Sequence, residues 1–89
     1  MLERELIISN RLGLHARATA KLVQLLASYR CNATLAAKGR EVNAKSIMGV
    51  MLLAAGQGTP ITVRLDGDGE AAAMEAVASL FERRFDEDS

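Results

Sequence analysis

The chain of 89 residues contains one cysteine, one histidine, one proline, three aromatic residues and no tryptophan. Cys31 has no partner for an internal disulfide, which fits a reducing, cytoplasmic setting and the role of a small buried hydrophobe. One histidine and one cysteine cannot assemble a zinc site unaided. Tyr29, Phe81 and Phe85 form no interleaved stacking platform, and the two Phe sit near the C-terminus among acids, which argues against a nucleic-acid surface. No apolar run approaches the ~18 residues of a membrane span, so no membrane insertion is expected. The opening Met1-Leu2-Glu3-Arg4-Glu5 is too charged for a signal-peptide core. A chain this short holds one core, so a single domain over 1–89 is expected. An enclosed pocket of several hundred Å³ would take up much of that core, which points to a surface site.

What is present is a globular balance of 49% hydrophobic and 25% charged residues with zero net charge. The charge is unevenly spread. Residues 1–50 carry eight basic and three acidic side chains, a net +5, and residues 51–89 carry three basic and eight acidic, a net −5. A bipolar molecule is expected, with a basic half suited to an anionic ligand or an acidic partner.

Hydrophobic periodicity and turn residues give the order of elements. Leu6-Ile7-Ile8 reads as a strand and Asn10 to Leu14 as a loop. From Ala16 to Ala27 the apolar residues recur at helical spacing. Asn32–Ala37 and Arg40–Asn43 read as two strands around the tight turn Lys38-Gly39. Ser46 caps a short helix carrying Ile47, Val50, Met51 and Ala54, with Gly56 as its stop. Ile61 to Leu65 alternates as a strand with one wet face. A last helix starts at Glu70, presents Met74, Val77, Ala78, Phe81 and Phe85 on one stripe, and ends at Arg83-Arg84. The simplest architecture is an antiparallel sheet with helices on one face and the other open to water.

His15 stands where Ser, Thr, Asp or Asn would usually cap a helix, a local rule broken at a helix start. Such a terminus presents unpaired N–H groups and partial positive charge. Arg17 lies in the first turn, where a cation opposes the dipole unless an anion visits. The pair suggests a visiting phosphate and a neutral, nucleophilic imidazole. On its own, a His-x-Arg pair is more commonly a surface histidine beside a solvated arginine. Ser46 has a structural role as a cap; a phosphate there would be tolerated at a helix start and would repel an acidic partner. Met48, Met51 and Leu52 exceed what one short helix face buries easily, as an adaptable contact surface would, although ordinary packing is an equal reading. Gly67-Asp68-Gly69-Glu70-Ala71-Ala72 has the outline of a dinucleotide loop, but its acids would repel a pyrophosphate and no second βα unit follows. The same stretch fails as a calcium loop, with Ala71 where Gly is needed and Val77 where Glu is needed.

Gly13-Leu14-His15-Ala16-Arg17, with Lys45-Ser46-Ile47-Met48-Gly49-Val50-Met51 about thirty residues later, resembles the HPr family. These are the histidine-containing phosphocarriers of the phosphoenolpyruvate-dependent phosphotransferase system. The likeness spans essentially the whole chain. It implies an α+β fold, an open-faced β-sandwich of order βαββαβα, with a four-stranded antiparallel sheet and three helices on one face. It implies that His15 accepts a phosphoryl group on Nδ1 from phosphorylated enzyme I and donates it to an enzyme IIA protein or domain, with Arg17 as partner of the phosphate. Ser46 matches the position modified by HPr kinase/phosphorylase in relatives that have that regulator. Leu14, Ala20, Lys21, Lys45, Ile47, Met48, Met51 and Leu52 correspond to the partner-binding surface. The resemblance calls for no cofactor and no metal, and implies a monomer. Many members carry Pro directly after the Arg; Ala18 stands there in this chain, and a helix start accepts either. Two other classes compete: a nitrogen-branch or regulatory carrier acting through phosphorylation-dependent protein binding, and an RNA-binding α/β domain.

Overall fold

A computed structural model describes residues 1–89. The order is β1 (Leu2–Ile7), α1 (Ala16–Ala27), β2 (Asn32–Ala37), β3 (Arg40–Asn43), α2 (Ile47–Leu52), β4 (Pro60–Asp66) and α3 (Glu70–Glu82), closed by a single short turn at Arg84–Asp86. The four strands form one antiparallel sheet in the order β1-β4-β2-β3. The three helices cover one face, and the fold is the open-faced sandwich expected. No helix is long and apolar enough to cross a membrane.

Side-chain alternation along the strands sets the layers. Leu35, Ile61, Val63 and Leu65 point inward and are fully buried against Leu22 and Leu26 of α1 and Val77 of α3. The opposite face is polar. Arg64 of β4 lies between Glu3 of β1, 2.7 Å from its Nε, and Glu41 of β3. The Lys38-Gly39 turn takes positive φ at both residues (52° and 78°), the geometry that matches strand twist in a two-residue hairpin. Cys31 is buried, as a small hydrophobe would be.

Three element ends differ from the sequence reading. β1 begins at Leu2 rather than Leu6, because backbone pairing from Leu2↔Leu65 to Ile7↔Pro60 makes a strand of residues whose side chains are mostly exposed. α2 ends at Leu52, and Ala54 (φ 48°) makes the left-handed exit expected of Gly56. Arg40 Nη1 donates to the Leu52 carbonyl at 3.4 Å and Lys38 Nζ to the Ala54 carbonyl at 3.2 Å, so cations from the hairpin satisfy that helix end. α3 stops at Glu82, so Phe85 is not on its stripe. The chain turns left-handed instead and drives Phe85 into the core, 4.9 Å from the ring of Phe81.

Candidate functional site

The site begins in the loop between β1 and α1. Asn10 is fully buried, and its Nδ2 donates to the Gly13 carbonyl at 2.8 Å. Gly13 has φ +66°, and the next amide, Leu14 N–H, donates to the Ala55 carbonyl at 2.9 Å. These bonds fix the approach to α1. Leu14 is consequently buried, at 5% exposure, which corrects its expected place on the contact surface: the loop turns its side chain into the core while Thr19 Oγ1 donates to its carbonyl at 3.1 Å.

His15 is the N-cap of α1, with extended backbone, and its Nδ1 accepts from the Arg17 amide at 3.3 Å. A histidine here does what Ser or Asp usually does, turning a lone pair toward the unpaired first-turn amides. The other ring nitrogen, Nε2, bonds to Oε2 of Glu87 from the far end of the chain. Glu87 Oε1 accepts from Asn10 Nδ2 at 3.0 Å. Burial pushes the Glu87 carboxyl up, but the hydrogen bonds from Asn10 and His15, with the charge of Arg17, outweigh it and hold the carboxyl below its ordinary value. An ionised carboxylate only accepts, so Nε2 carries the proton. Nδ1 is then the basic nitrogen, which agrees with the amide aimed at it.

The ring is partly exposed, at 29%, in a shallow cleft shared by Arg11, Arg17 and Lys21 with Asp86 and Glu87. Lys21 Nζ pairs with Asp86 at 3.2 Å, and Arg83 Nε with the same carboxylate at 2.8 Å. The expected bipolar charge split therefore does not hold at this point, because the acidic tail folds back onto the basic helix mouth. Sequence reasoning missed Glu87 and Asn10; the only signal was the acidic run at the C-terminus. Asp86 is also held below its ordinary value, first by the hydrogen bond from Arg83 and then by that from Lys21. Both carboxylates have lower values folded than unfolded. Their stabilisation is complete above the ordinary values of 3.8 for Asp and 4.5 for Glu, and drains away as pH falls through the lower folded ones. An Asp86→Asn/Glu87→Gln variant should therefore show a flatter loss of stability on acidification than the parent; parallel urea midpoints below pH 4.5 would count against the tail contacts.

The remaining residues flank this cleft. Ala20 is half-buried on α1. Lys45 Nζ donates to the Tyr29 carbonyl at 2.7 Å, so its charge is tied near the C-terminal end of α1 and not to the histidine cleft. Ser46 Oγ accepts from the Gly49 amide at 3.1 Å, the cap expected of it. α2 packs against α1 and leaves Ile47 (46%), Met48 (78%), Met51 (44%) and Leu52 (62%) exposed, joined by Leu12 (63%) in the loop. Only Val50 of that helix is buried, so the methionines are surface and not core. Ala18 is fully buried within the first turn of an intact helix, so the replacement of Pro does not disturb its start.

Residues 2–83 match the family described as the PTS HPr component phosphorylation site. The phosphocarrier protein HPr of Xylella fastidiosa (strain 9a5c) is 67% identical over the full length of both chains. The chain belongs to the HPr family. A crystal structure of HPr-C-His from Thermoanaerobacter tengcongensis superposes with a TM-score of 0.96 at 37% identity, covering both chains completely. A Shewanella violacea protein named phosphocarrier protein NPr is 38% identical over 99% of this chain and 97% of its own. This HPr-family chain is thus a phosphocarrier of the phosphotransferase system and acts with the enzymes of that system. Its identity to the protein named HPr is well above that to the one named NPr.

Proposed function

We propose that His15 Nδ1 is the atom that takes the phosphoryl group from phosphorylated enzyme I and passes it to a histidine of an enzyme IIA protein or domain, within one domain spanning 1–89. The observation that carries this reading is the placement of the ring. Nε2 is engaged by Glu87, while Nδ1 faces the first-turn amides with its lone pair. Attack of that lone pair on phosphorus forms the new N–P bond as the bond to the donor nitrogen breaks, and the donor nitrogen keeps the electron pair. The arriving oxygens replace a weak amide contact with charge-assisted ones at the helix end, beside the Arg17 guanidinium. An open cleft in which a single first-turn arginine stands beside the histidine stabilises phosphate modestly, so transfer remains reversible, and two partners can reach the same nitrogen in turn. Positioning and charge neutralisation do most of the work. The exposed Ile47, Met48, Met51 and Leu52, with Ala20, Lys21 and Lys45 nearby on α1 and before α2, supply the contact surface. Ser46 is the regulatory site for an HPr kinase/phosphorylase, where added charge would repel an acidic partner without unfolding the helix it caps.

The test is incubation with enzyme I and labelled phosphoenolpyruvate, followed by transfer to IIA. The expected label is acid-labile, maps to His15 and leaves when IIA is added; label on another residue overturns the reading. Arg17→Glu should slow transfer about 10- to 100-fold. Its stability should stay within about 0.5 kcal/mol of the parent, because an acidic residue suits a helix N-terminus. Unchanged rates would remove Arg17 from the mechanism.

A further inference from the structure

The C-terminal turn is built against its backbone preference. Arg84, Phe85 and Asp86 have φ of 55°, 55° and 62°, three consecutive non-glycine residues in the left-handed region. Such residues are unfavourable one at a time, and runs of them persist only where surrounding contacts over-determine the chain. Those contacts are present. Phe85 is fully buried against Phe81, and Asp86 is held by Lys21 and Arg83. The result of this strained turn is the position of one side chain, Glu87, whose two carboxylate oxygens are gripped by Asn10 Nδ2 and His15 Nε2. Asn10 is itself fully buried and bonded to the Gly13 carbonyl.

We propose that Glu87 is a positioning residue for phosphoryl transfer: it accepts the Nε2–H of His15, fixes the rotation of the ring, and so keeps the Nδ1 lone pair at the helix mouth where phosphorus arrives. This rests on the reading in which Nδ1 carries the phosphate. A carboxylate on one imidazole nitrogen fixes both tautomer and orientation, leaving the other nitrogen as nucleophile. As the N–P bond forms, Nε2 keeps its proton and the ring becomes cationic; the adjacent carboxylate balances that charge. On donation the N–P electron pair returns to Nδ1, and the ring is neutral again with the same proton on Nε2. No proton enters or leaves in either step.

The experiment uses the full chain with 15N-labelled histidine. In the parent, the ring nitrogens should report a single Nε2–H tautomer with a protected Nε2–H proton. Glu87→Ala should lose the protected proton and accept phosphate from enzyme I about tenfold more slowly. Glu87→Gln keeps an acceptor but no charge; it should retain the Nε2–H signature and fall between the two in rate. An unchanged ring spectrum in Glu87→Ala, or an unchanged or faster rate, overturns the proposal, the last by making the tail an obstruction to phosphate. Label mapping separates the two readings. If the parent is labelled away from His15, the assignment of the phosphorylated atom fails. If His15 is labelled in parent and Glu87→Ala at equal rates, only the role of Glu87 fails.

Discussion

His15→Ala is expected to take up no measurable phosphate from phosphorylated enzyme I while keeping its fold. The loss should exceed about 10³-fold, because covalent transfer needs a nucleophile and the chain offers no second imidazole. Cys31 cannot substitute, since it is buried at 1% exposure away from the surface. The structural cost should be small. The cap bond that His15 makes is long, at 3.3 Å, so its removal belongs at the low end of the usual cap penalty, about 0.5–1 kcal/mol. Glu87 keeps its bond from Asn10 and is 15% exposed, so water can reach the oxygen that the ring leaves. For a domain of this size about 1 kcal/mol corresponds to roughly 4–8 °C in Tm. Phosphate uptake and a thermal melt on the same sample check both halves: uptake at the parent rate would place the phosphoryl group elsewhere, and a collapsed melt would make the histidine a structural residue first.

The parts of this molecule legible in its sequence are those written by neighbouring residues. The bounds of α1 follow from a cap position, an apolar period and a clean end, all within fourteen residues, and they stand as read. The Lys38-Gly39 turn and the Ser46 cap are equally local. The mouth of α1 as a candidate site was legible for the same reason, because a histidine in a cap position is odd in its own neighbourhood. The contact that orients its ring was not. Glu87 is 72 residues away, and nothing near residue 15 announces it. The acidic tail reads in sequence as one pole of a divided charge, and only the tertiary fold shows that its pole closes on the basic one. Phe85 misled for a related reason. Its spacing from Phe81 is helical, and burial alone cannot tell a helix from a left-handed turn that delivers the same ring to the same core. Leu14 misled because adjacency to His15 in sequence says nothing about which side of the loop a side chain takes.

Gly13→Ala is expected to damage both stability and transfer, and the comparison with a second glycine shows why. Gly13 adopts φ +66°, a conformation that costs an L-residue about 1–2 kcal/mol. An added Cβ would also lie 2.4 Å from the Ala55 carbonyl oxygen and 2.7 Å from Gly56 Cα, both backbone atoms that cannot rotate away. Relief requires the two loops to part, at a further cost of about 1–3 kcal/mol for overpacking. Parting them breaks the Leu14 N–H bond to Ala55 and disturbs the Gly13 carbonyl that Asn10 holds. His15 is two residues on, and Asn10 also grips Glu87, so both ends of the imidazole lose their reference frame. A displacement of about 1 Å at a reacting atom can cost about 10²-fold in rate, so the folded fraction should transfer phosphate about 100-fold more slowly. Gly39→Ala isolates the backbone term, since Gly39 has φ +78° with nothing within 4 Å of an added Cβ. That variant should lose only about 1–2 kcal/mol and transfer at the parent rate. Urea midpoints and transfer rates for the two variants decide the matter. Equal losses of stability, with transfer intact in both, would mean that the packing of Gly13 against Ala55 and Gly56 does not set the position of the histidine.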